Sequence, residues 1–169
     1  MAKPLLLKKL STLGGALALM MLVVLAAPAN AGTPAGGNGT GAPVAESMAR
    51  VLAAYPDAER LSANEVRLPN GVQVSAGAQA DCSYRYLCLY SANNYRGEAL
   101  RFFNCGFVDI GRIWGNNRTR SYINNQTPGT VSIFYNWTNP GWQEVWRSRA
   151  YNADPGGGGY EIAEGVRVC

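Results

Sequence analysis

The sequence predicts an all-β domain of about ninety residues, arranged as a sandwich or Greek key. All four tryptophans, and every tyrosine except Tyr55, lie in the part of the chain that begins at Cys82. That part has no long helical pattern, and its short β-type runs are separated by turns rich in Asn and Gly. The runs are Tyr86–Tyr90, Ala99–Asn104, Thr130–Tyr135 and Glu144–Arg147.

A weak internal repeat favours two similar β motifs. The segment Leu89–Asn94 aligns without gaps on Phe134–Asn139, and the same offset places Leu100 on Val145. The offset of 45 residues is long enough for one four-stranded motif. Two such motifs would fill the domain.

Residues 1–31 have the pattern of an export signal. Three lysines (Lys3, Lys8 and Lys9) precede the apolar run Gly14–Ala27, and the small-residue site Ala29-Asn30-Ala31 follows. The run is shorter than the ~20 residues of a spanning helix, so we expect cleavage and secretion rather than a stable membrane span. These lysines account for three of the four net positive charges. The exported remainder is therefore almost neutral, and we expect no nucleic-acid partner.

Between the signal and the β domain, the sequence predicts a disordered spacer and then a helix-hairpin segment. Residues 32–42 contain no large apolar side chain. The segment 43–80 begins with apolar residues at helical spacing, which predict an amphipathic packing helix over Pro43–Tyr55.

The rest of this segment contains a turn signal and a run of small residues. Pro69-Asn70-Gly71 lies between alternating apolar residues and predicts a hairpin with a three-residue loop. That register places Val66 opposite Val74 and Leu68 opposite Val72, on one face. Ser75–Asp81 is small and mostly polar, and we expect a linker there before the β domain, which we place at 81–169.

The absence of histidine excludes several enzyme classes, and export determines how the cysteines are interpreted. Ser-His-Asp and Cys-His nucleophiles and imidazole-based zinc sites are excluded. Four cysteines outside the cytoplasm most often form two disulfides, with three possible pairings. We favour the local pair Cys82–Cys88, which leaves Cys105–Cys169 to hold the C-terminus. The alternative is a metal site of four thiolates, although the spacing lacks the paired CxxC of zinc ribbons.

Several segments resemble one known family. Cys82–Cys88, followed by Leu89–Gly97, looks like the opening of a βγ-crystallin Greek key. With the export signal, the chain most resembles the secreted peptidase-inhibitor family typified by Streptomyces metalloproteinase inhibitor. The segments Ser62–Val66, Ser121–Val131 and Gly165–Cys169 also look like that family. The resemblance covers roughly Ala53 to Cys169 and implies a βγ-crystallin-like double Greek-key sandwich.

The resemblance also implies a degenerate calcium motif and no other cofactor. Asn116–Ser121 resembles the pattern Asn/Asp-Asn/Asp-x-x-Ser/Thr-Ser, which would make Asn116, Asn117 and Ser121 the metal residues. Arg120 stands where a hydroxyl ligand is expected, and the second half keeps only Glu161–Gly165 in the corresponding place. The alternative is that the two asparagines build a turn and that Ser121 ties a folded loop.

The family likeness implies an inhibitor of a secreted protease, most naturally a metalloprotease, and no catalytic residues. No inhibitory residue is carried over, so the contact loop is unknown; the loops considered are Ser83–Leu87 and Tyr151–Tyr160. The alternatives are a surface-binding module for cell-wall glycan and a killer-toxin-like antimicrobial of the same fold. A glycan-binding platform would draw on six aromatic residues: Trp114, Trp137, Trp142, Trp146, Tyr95 and Tyr135. The alternative is that they fill the core and the aromatic corners, and we expect this of at least half of the six.

Overall fold

A computed structural model describes residues 44–169 and contains two antiparallel β-sheets with few helices. The predicted signal (1–31) and spacer (32–42) lie outside the described residues. Among residues 44–169, no helix combines the length and apolarity that crossing a membrane requires. The elements are α1 (Val44–Ala54), β1 (Glu59–Arg60), β2 (Glu65–Arg67), β3 (Gln73–Ala78), β4 (Leu87–Ala92), β5 (Arg96–Phe102), β6 (Phe107–Asp109), α2 (Gly111–Trp114), β7 (Ser121–Asn124), β8 (Val131–Thr138), β9 (Gly141–Arg149), β10 (Asn152–Asp154), a 3-10 turn (Gly159–Ile162) and β11 (Gly165–Arg167).

The β domain has two halves, β4 to β7 and β8 to β11, and the two sheets exchange one strand between them. One sheet has seven strands in the order β1-β2-β3-β5-β4-β7-β10, and the other has four in the order β6-β11-β8-β9. The third strand of the first half (β6) lies in the four-stranded sheet, and the third strand of the second half (β10) lies in the seven-stranded sheet. Each half is therefore completed by a strand from the other.

One hydrophobic core lies between the sheets and includes the N-terminal segment. Met48 and Val51 of α1 and Val66 of β2 are buried in the same cluster as Leu100 of β5 and Phe134 of β8. Each of these side chains is at most 1% exposed. Burying a large aliphatic side chain contributes roughly 1.5–3 kcal/mol, so helix and hairpin add substantially to stability.

The predicted helix and hairpin are confirmed. The helix α1 lies within the predicted Pro43–Tyr55. In the hairpin, Val66 pairs with Val74, and the Leu68 amide donates to the Val72 carbonyl at 2.8 Å. Gly71 has φ +84, a left-handed conformation that costs glycine little, so the three-residue loop closes as the sequence indicates.

The predicted linker Ser75–Asp81 is wrong over its first half. Strand β3 continues to Ala78 and pairs with β5, with Ser75 opposite Ala99 and Ala78 opposite Gly97. The small side chains have a packing reason, since α1 lies against this strand and Ala76 is buried beneath it. A run of small residues thus resembles a linker in sequence while making room for a helix.

Candidate functional site

The four cysteines form the two predicted disulfides. Cys82 bonds to Cys88 with a Cα–Cα distance of 5.9 Å, and Cys105 bonds to Cys169 with 5.2 Å. No cysteine of the chain is left unpaired. A four-thiolate metal site is therefore excluded.

The first disulfide closes the loop Ser83–Leu87 into a rigid projection. Ser83, Tyr84 and Arg85 are exposed, and Tyr84 is the most prominent, at 60% exposure. The backbone is held from both sides: the Arg85 amide donates to the Asn125 carbonyl at 2.7 Å, and the Asn125 side chain donates to the Cys82 carbonyl at 2.9 Å. The loop thus presents an aromatic and a basic side chain on a fixed frame.

The conformation of this loop is a tight turn. The Tyr86 amide donates to the Ser83 carbonyl at 3.1 Å, and Arg85 has φ +77. The Arg85 guanidinium lies 4.7 Å from the centre of the Phe103 ring, a cation–π contact that helps to hold this uncommon backbone conformation. The segment is therefore turned rather than extended.

The second loop, Tyr151–Tyr160, is tied down despite its four glycines. Strand β10, near its start, pairs with β7 at the edge of the sheet. The Gly156 amide donates to the Asp154 carboxylate at 2.9 Å, and the Gly157 amide donates to the Glu161 carboxylate at 3.0 Å. Burial and a hydrogen bond with Asp154 raise the pKa of the Tyr160 hydroxyl above its usual value. Tyr151 is 67% exposed at the start of the loop.

The Asn116–Ser121 segment forms a turn whose serine fastens the β4–β5 hairpin. The fully buried Ser121 hydroxyl donates to the Ala92 carbonyl at 2.7 Å and accepts from the Tyr95 amide at 3.0 Å. Asn117 has a left-handed backbone, which asparagine tolerates better than most residues. The structure thus places these residues as the structural alternative expects.

Two oxygens that this segment could offer to a calcium ion already have partners. Calcium takes six to eight oxygen ligands. The Ser121 hydroxyl already makes two hydrogen bonds with the backbone, one to the Ala92 carbonyl and one from the Tyr95 amide. The Thr119 hydroxyl is buried without a partner, but the positive side chain of Arg120 bonds to the Thr119 carbonyl at 3.1 Å. Within residues 44–169, no group of three or more His, Cys, Asp or Glu side chains is placed to hold a metal.

The tryptophans divide evenly between core and surface. Trp114 is 2% exposed, and Trp146 packs against the core beside Tyr160. Trp142 is half-buried, and Trp137 is 50% exposed. Of the six aromatic residues considered for a platform, Trp114, Trp146 and Tyr95 lie in or against a hydrophobic cluster, which meets the expectation of at least half.

The outer face of the four-stranded sheet carries an aromatic patch, formed by Phe107, Tyr135, Trp137 and Trp142. The Trp137 and Trp142 rings meet edge to face with centroids 5.2 Å apart, and Phe107 contacts Trp142 in the same way at 5.0 Å. A Cβ added to Gly165 of β11 would lie 2.7 Å from Phe107 and 2.9 Å from Trp142. The bare backbone at this position lets the two rings lie against the sheet.

A cavity of about 410 Å³, which we call the rim pocket, opens beside this patch. Trp137 and Trp142 form its apolar wall. The Arg112 guanidinium is paired with Asp109 at 3.2 Å. The polar side chains that line the rim pocket are Asp109, Arg112, Asn116 and Glu164.

The sequence reasoning identified Trp137, Trp142 and Tyr135 but missed Phe107, Asp109 and Glu164. The missed residues lie at the ends of β6 and just before β11, two three-residue strands. Such strands are too short to show alternation, so their pairing next to β8 had no sequence signal.

Comparisons of this chain with protein-family models, with curated proteins and with solved structures gave no match.

Proposed function

We propose that this chain is a secreted inhibitor of an extracellular peptidase, built on a double Greek-key fold of the βγ-crystallin kind. The fold part of the proposal is supported by the exchange of β6 and β10 between two four-stranded halves. The sequence repeat agrees with it, since the aligned segments form the first strands of two hairpins, β4–β5 and β8–β9. Secretion is supported by the two disulfides, which are typical of proteins outside the cytosol.

The loop Ser83–Leu87 is the proposed contact with the protease, and its rigidity is the observation that carries the proposal. A disulfide, backbone hydrogen bonds to Asn125 and a cation–π contact hold it in one conformation. Binding then costs little ordering entropy, which is how rigid loops reach high affinity. Exposed Tyr84 is the type of residue that supplies binding energy at interfaces.

The turned backbone also agrees with inhibition. Proteases cleave chains that they hold in an extended conformation, whereas Arg85 keeps this loop in a tight turn. A loop of this kind fills a cleft and resists being cut. The alternative loop Tyr151–Tyr160 begins with an extended edge strand, which lacks this protection.

The proposed role is binding without catalysis. Two carboxylates of the β domain are engaged by neighbouring guanidinium groups, which leaves these two poorly suited to act as a general acid and base pair. Asp81 pairs with Arg101 at 2.6 Å, and Glu98 pairs with both Arg50 and Arg118 at 2.9 and 3.1 Å.

The test is a titration of the purified secreted chain against thermolysin, a metalloprotease, and subtilisin, a serine protease. We expect stoichiometric loss of activity of one of them. Tyr84→Ala should raise the inhibition constant about tenfold or more. Tyr151→Ala is the matched control, an equally exposed tyrosine on the other loop, and should change it less than about twofold.

Two outcomes would contradict the proposal. Full activity of both proteases with an excess of intact chain would remove the inhibitor function. Loss of inhibition in Tyr151→Ala, with Tyr84→Ala unaffected, would move the contact to the second loop.

A further inference from the structure

We propose that the aromatic patch and the rim pocket together form a binding site for a neutral glycan with flat pyranose rings. The site lies on the four-stranded sheet and involves no residue of the Ser83–Leu87 loop. It is therefore a second function, independent of protease inhibition.

The aromatic patch has the properties of a stacking surface. Trp137 is 50% exposed and Phe107 is 43% exposed. By contrast, Trp114 lies in the core and Trp146 packs against it. Aromatic ring faces carry partial negative charge, so they attract the weakly positive C–H groups on the flat face of a sugar. A contiguous exposed apolar patch often marks an interaction site.

The rim pocket supplies the polar half of such a site. Sugar hydroxyls both donate and accept hydrogen bonds. The carboxylates of Asp109 and Glu164 accept, the Arg112 guanidinium donates, and the Asn116 amide does both. A few polar groups beside an apolar wall are typical of small-ligand sites, and the cavity of about 410 Å³ falls within the usual range.

The charges of the rim pocket favour a neutral ligand. Two carboxylates, Asp109 and Glu164, face one guanidinium, and Arg112 is already paired with Asp109. An anionic sugar or a phosphate would meet an uncompensated negative charge. A proline-rich peptide is the competing ligand, since such peptides also dock on aromatic grooves. The four polar side chains at the rim favour the glycan, because its hydroxyls can use them all.

The absence of a side chain at Gly165 also favours this face as the binding surface. Its missing side chain allows Phe107 and Trp142 to settle on the backbone of β11, at 2.7 and 2.9 Å from where a Cβ would be. Glycine weakens a strand interior and often marks a place where another group approaches closely. Here the approaching groups are the rings of the patch itself, which are held in place before any ligand arrives.

The test is a titration of the chain with chitohexaose and with cellohexaose, two neutral oligosaccharides. Binding is measured by tryptophan fluorescence and by calorimetry. We expect saturable binding of at least one and a change in tryptophan emission. Trp137→Ala should weaken binding about tenfold or more. Glu164→Gln, which keeps the shape and loses the charge, should weaken it about fivefold. Tyr84→Ala is the control and should leave binding within about twofold.

The remaining probes separate the competing ligands. Polygalacturonate, an anionic polysaccharide, should bind more weakly than the neutral sugars, and a deca-proline peptide should not bind. Binding of the peptide in place of the sugars would overturn the proposal, and so would the absence of sugar binding by the folded chain, whether or not that chain inhibits a protease. Unchanged binding by a folded Trp137→Ala variant would place the sugar elsewhere and would overturn the site.

Discussion

Tyr90 and Tyr135 occupy the same position in the two repeated hairpins, but they have opposite environments. Both follow a core residue, Leu89 in one hairpin and Phe134 in the other, and both point away from the core. Tyr90 is fully buried beneath a small outer cluster, and its hydroxyl donates to the Asp81 carbonyl at 3.1 Å. Tyr135 is half-buried and belongs to the aromatic patch.

The difference lies in what covers the outer face of each sheet. Strand β3 pairs with β5, and the segment that follows it brings Asp81 and Cys82 over Tyr90. On the other sheet, β9 is an edge strand of the described structure, and its aromatic neighbours stay exposed. One outer face is therefore closed by packing, and the other is open, with Trp137 and Phe107 exposed.

Removing the long-range disulfide should have the largest effect, because it ties the segment between β5 and β6 to the residues after β11. The double substitution Cys105→Ser and Cys169→Ser opens a link between residues 64 apart. On chain entropy alone this costs about 4 kcal/mol. Urea unfolding should report a loss of that order across the whole domain. Loss of less than about 1 kcal/mol would mean that the halves do not depend on this link.

The next largest effect is expected from repeat-equivalent core positions. Leu100→Ala removes a fully buried side chain of β5 and should cost about 2–5 kcal/mol. The 45-residue sequence offset places Val145 opposite Leu100 in the repeat, although Val145 lies in the bulge of β9. Val145→Ala loses fewer atoms from a half-buried site and should cost about 1 kcal/mol. Thermal unfolding of both variants compares the two sites, and equal losses would contradict the greater burial of Leu100.

Opening the local disulfide should have an intermediate effect on stability and a large one on the loop. The double substitution Cys82→Ser and Cys88→Ser should cost about 2 kcal/mol, since the closed loop is short. It also removes the seal over Tyr90 and the frame of Ser83–Leu87. We expect inhibition to fall at least as far as in Tyr84→Ala, whereas glycan binding at the far sheet stays unchanged.

The unfolding free energy should fall at alkaline pH because of Tyr90, which is buried on the closed outer face. Burial raises the pKa of Tyr90 to about 12, above the value near 10 of an unfolded tyrosine. The unfolded chain therefore releases this proton first, so the stability that neutral Tyr90 contributes is present below pH 10 and is lost as the pH rises toward 12. Tyr90→Phe should flatten this loss. Urea unfolding measured from pH 8 to 11 tests it, and an identical slope in the variant would contradict the burial of Tyr90.

The smallest effect on stability is expected from the open face. Trp137→Ala removes a side chain that is half exposed, so its unfolding free energy should change by less than about 1 kcal/mol. A loss of several kcal/mol would mean that the patch is part of the core.

Local signals in the sequence were enough to predict the helix, the first hairpin and the disulfides. A proline-flanked apolar pattern, a Pro-Asn-Gly turn and the close spacing of Cys82 and Cys88 each act within a few residues. The second disulfide was predicted as the pair that the first one leaves. The strands β6, β7, β10 and β11 were not predicted, because each is only three or four residues long and is formed by pairing with distant segments. The rim pocket depends on those strands, so Asp109 and Glu164 come together only in the fold.

The measurement that tests the central claim most directly is hydroxyl-radical footprinting of the intact chain, read by mass spectrometry, without and with chitohexaose. We predict rapid oxidation of Trp137 and Phe107, very slow oxidation of Tyr90, and protection of Trp137 when the sugar is present. Oxidation of Tyr90 at the rate of Tyr135 would show that both outer faces are open. That result, or a Trp137 rate that the sugar leaves unchanged, would contradict the account.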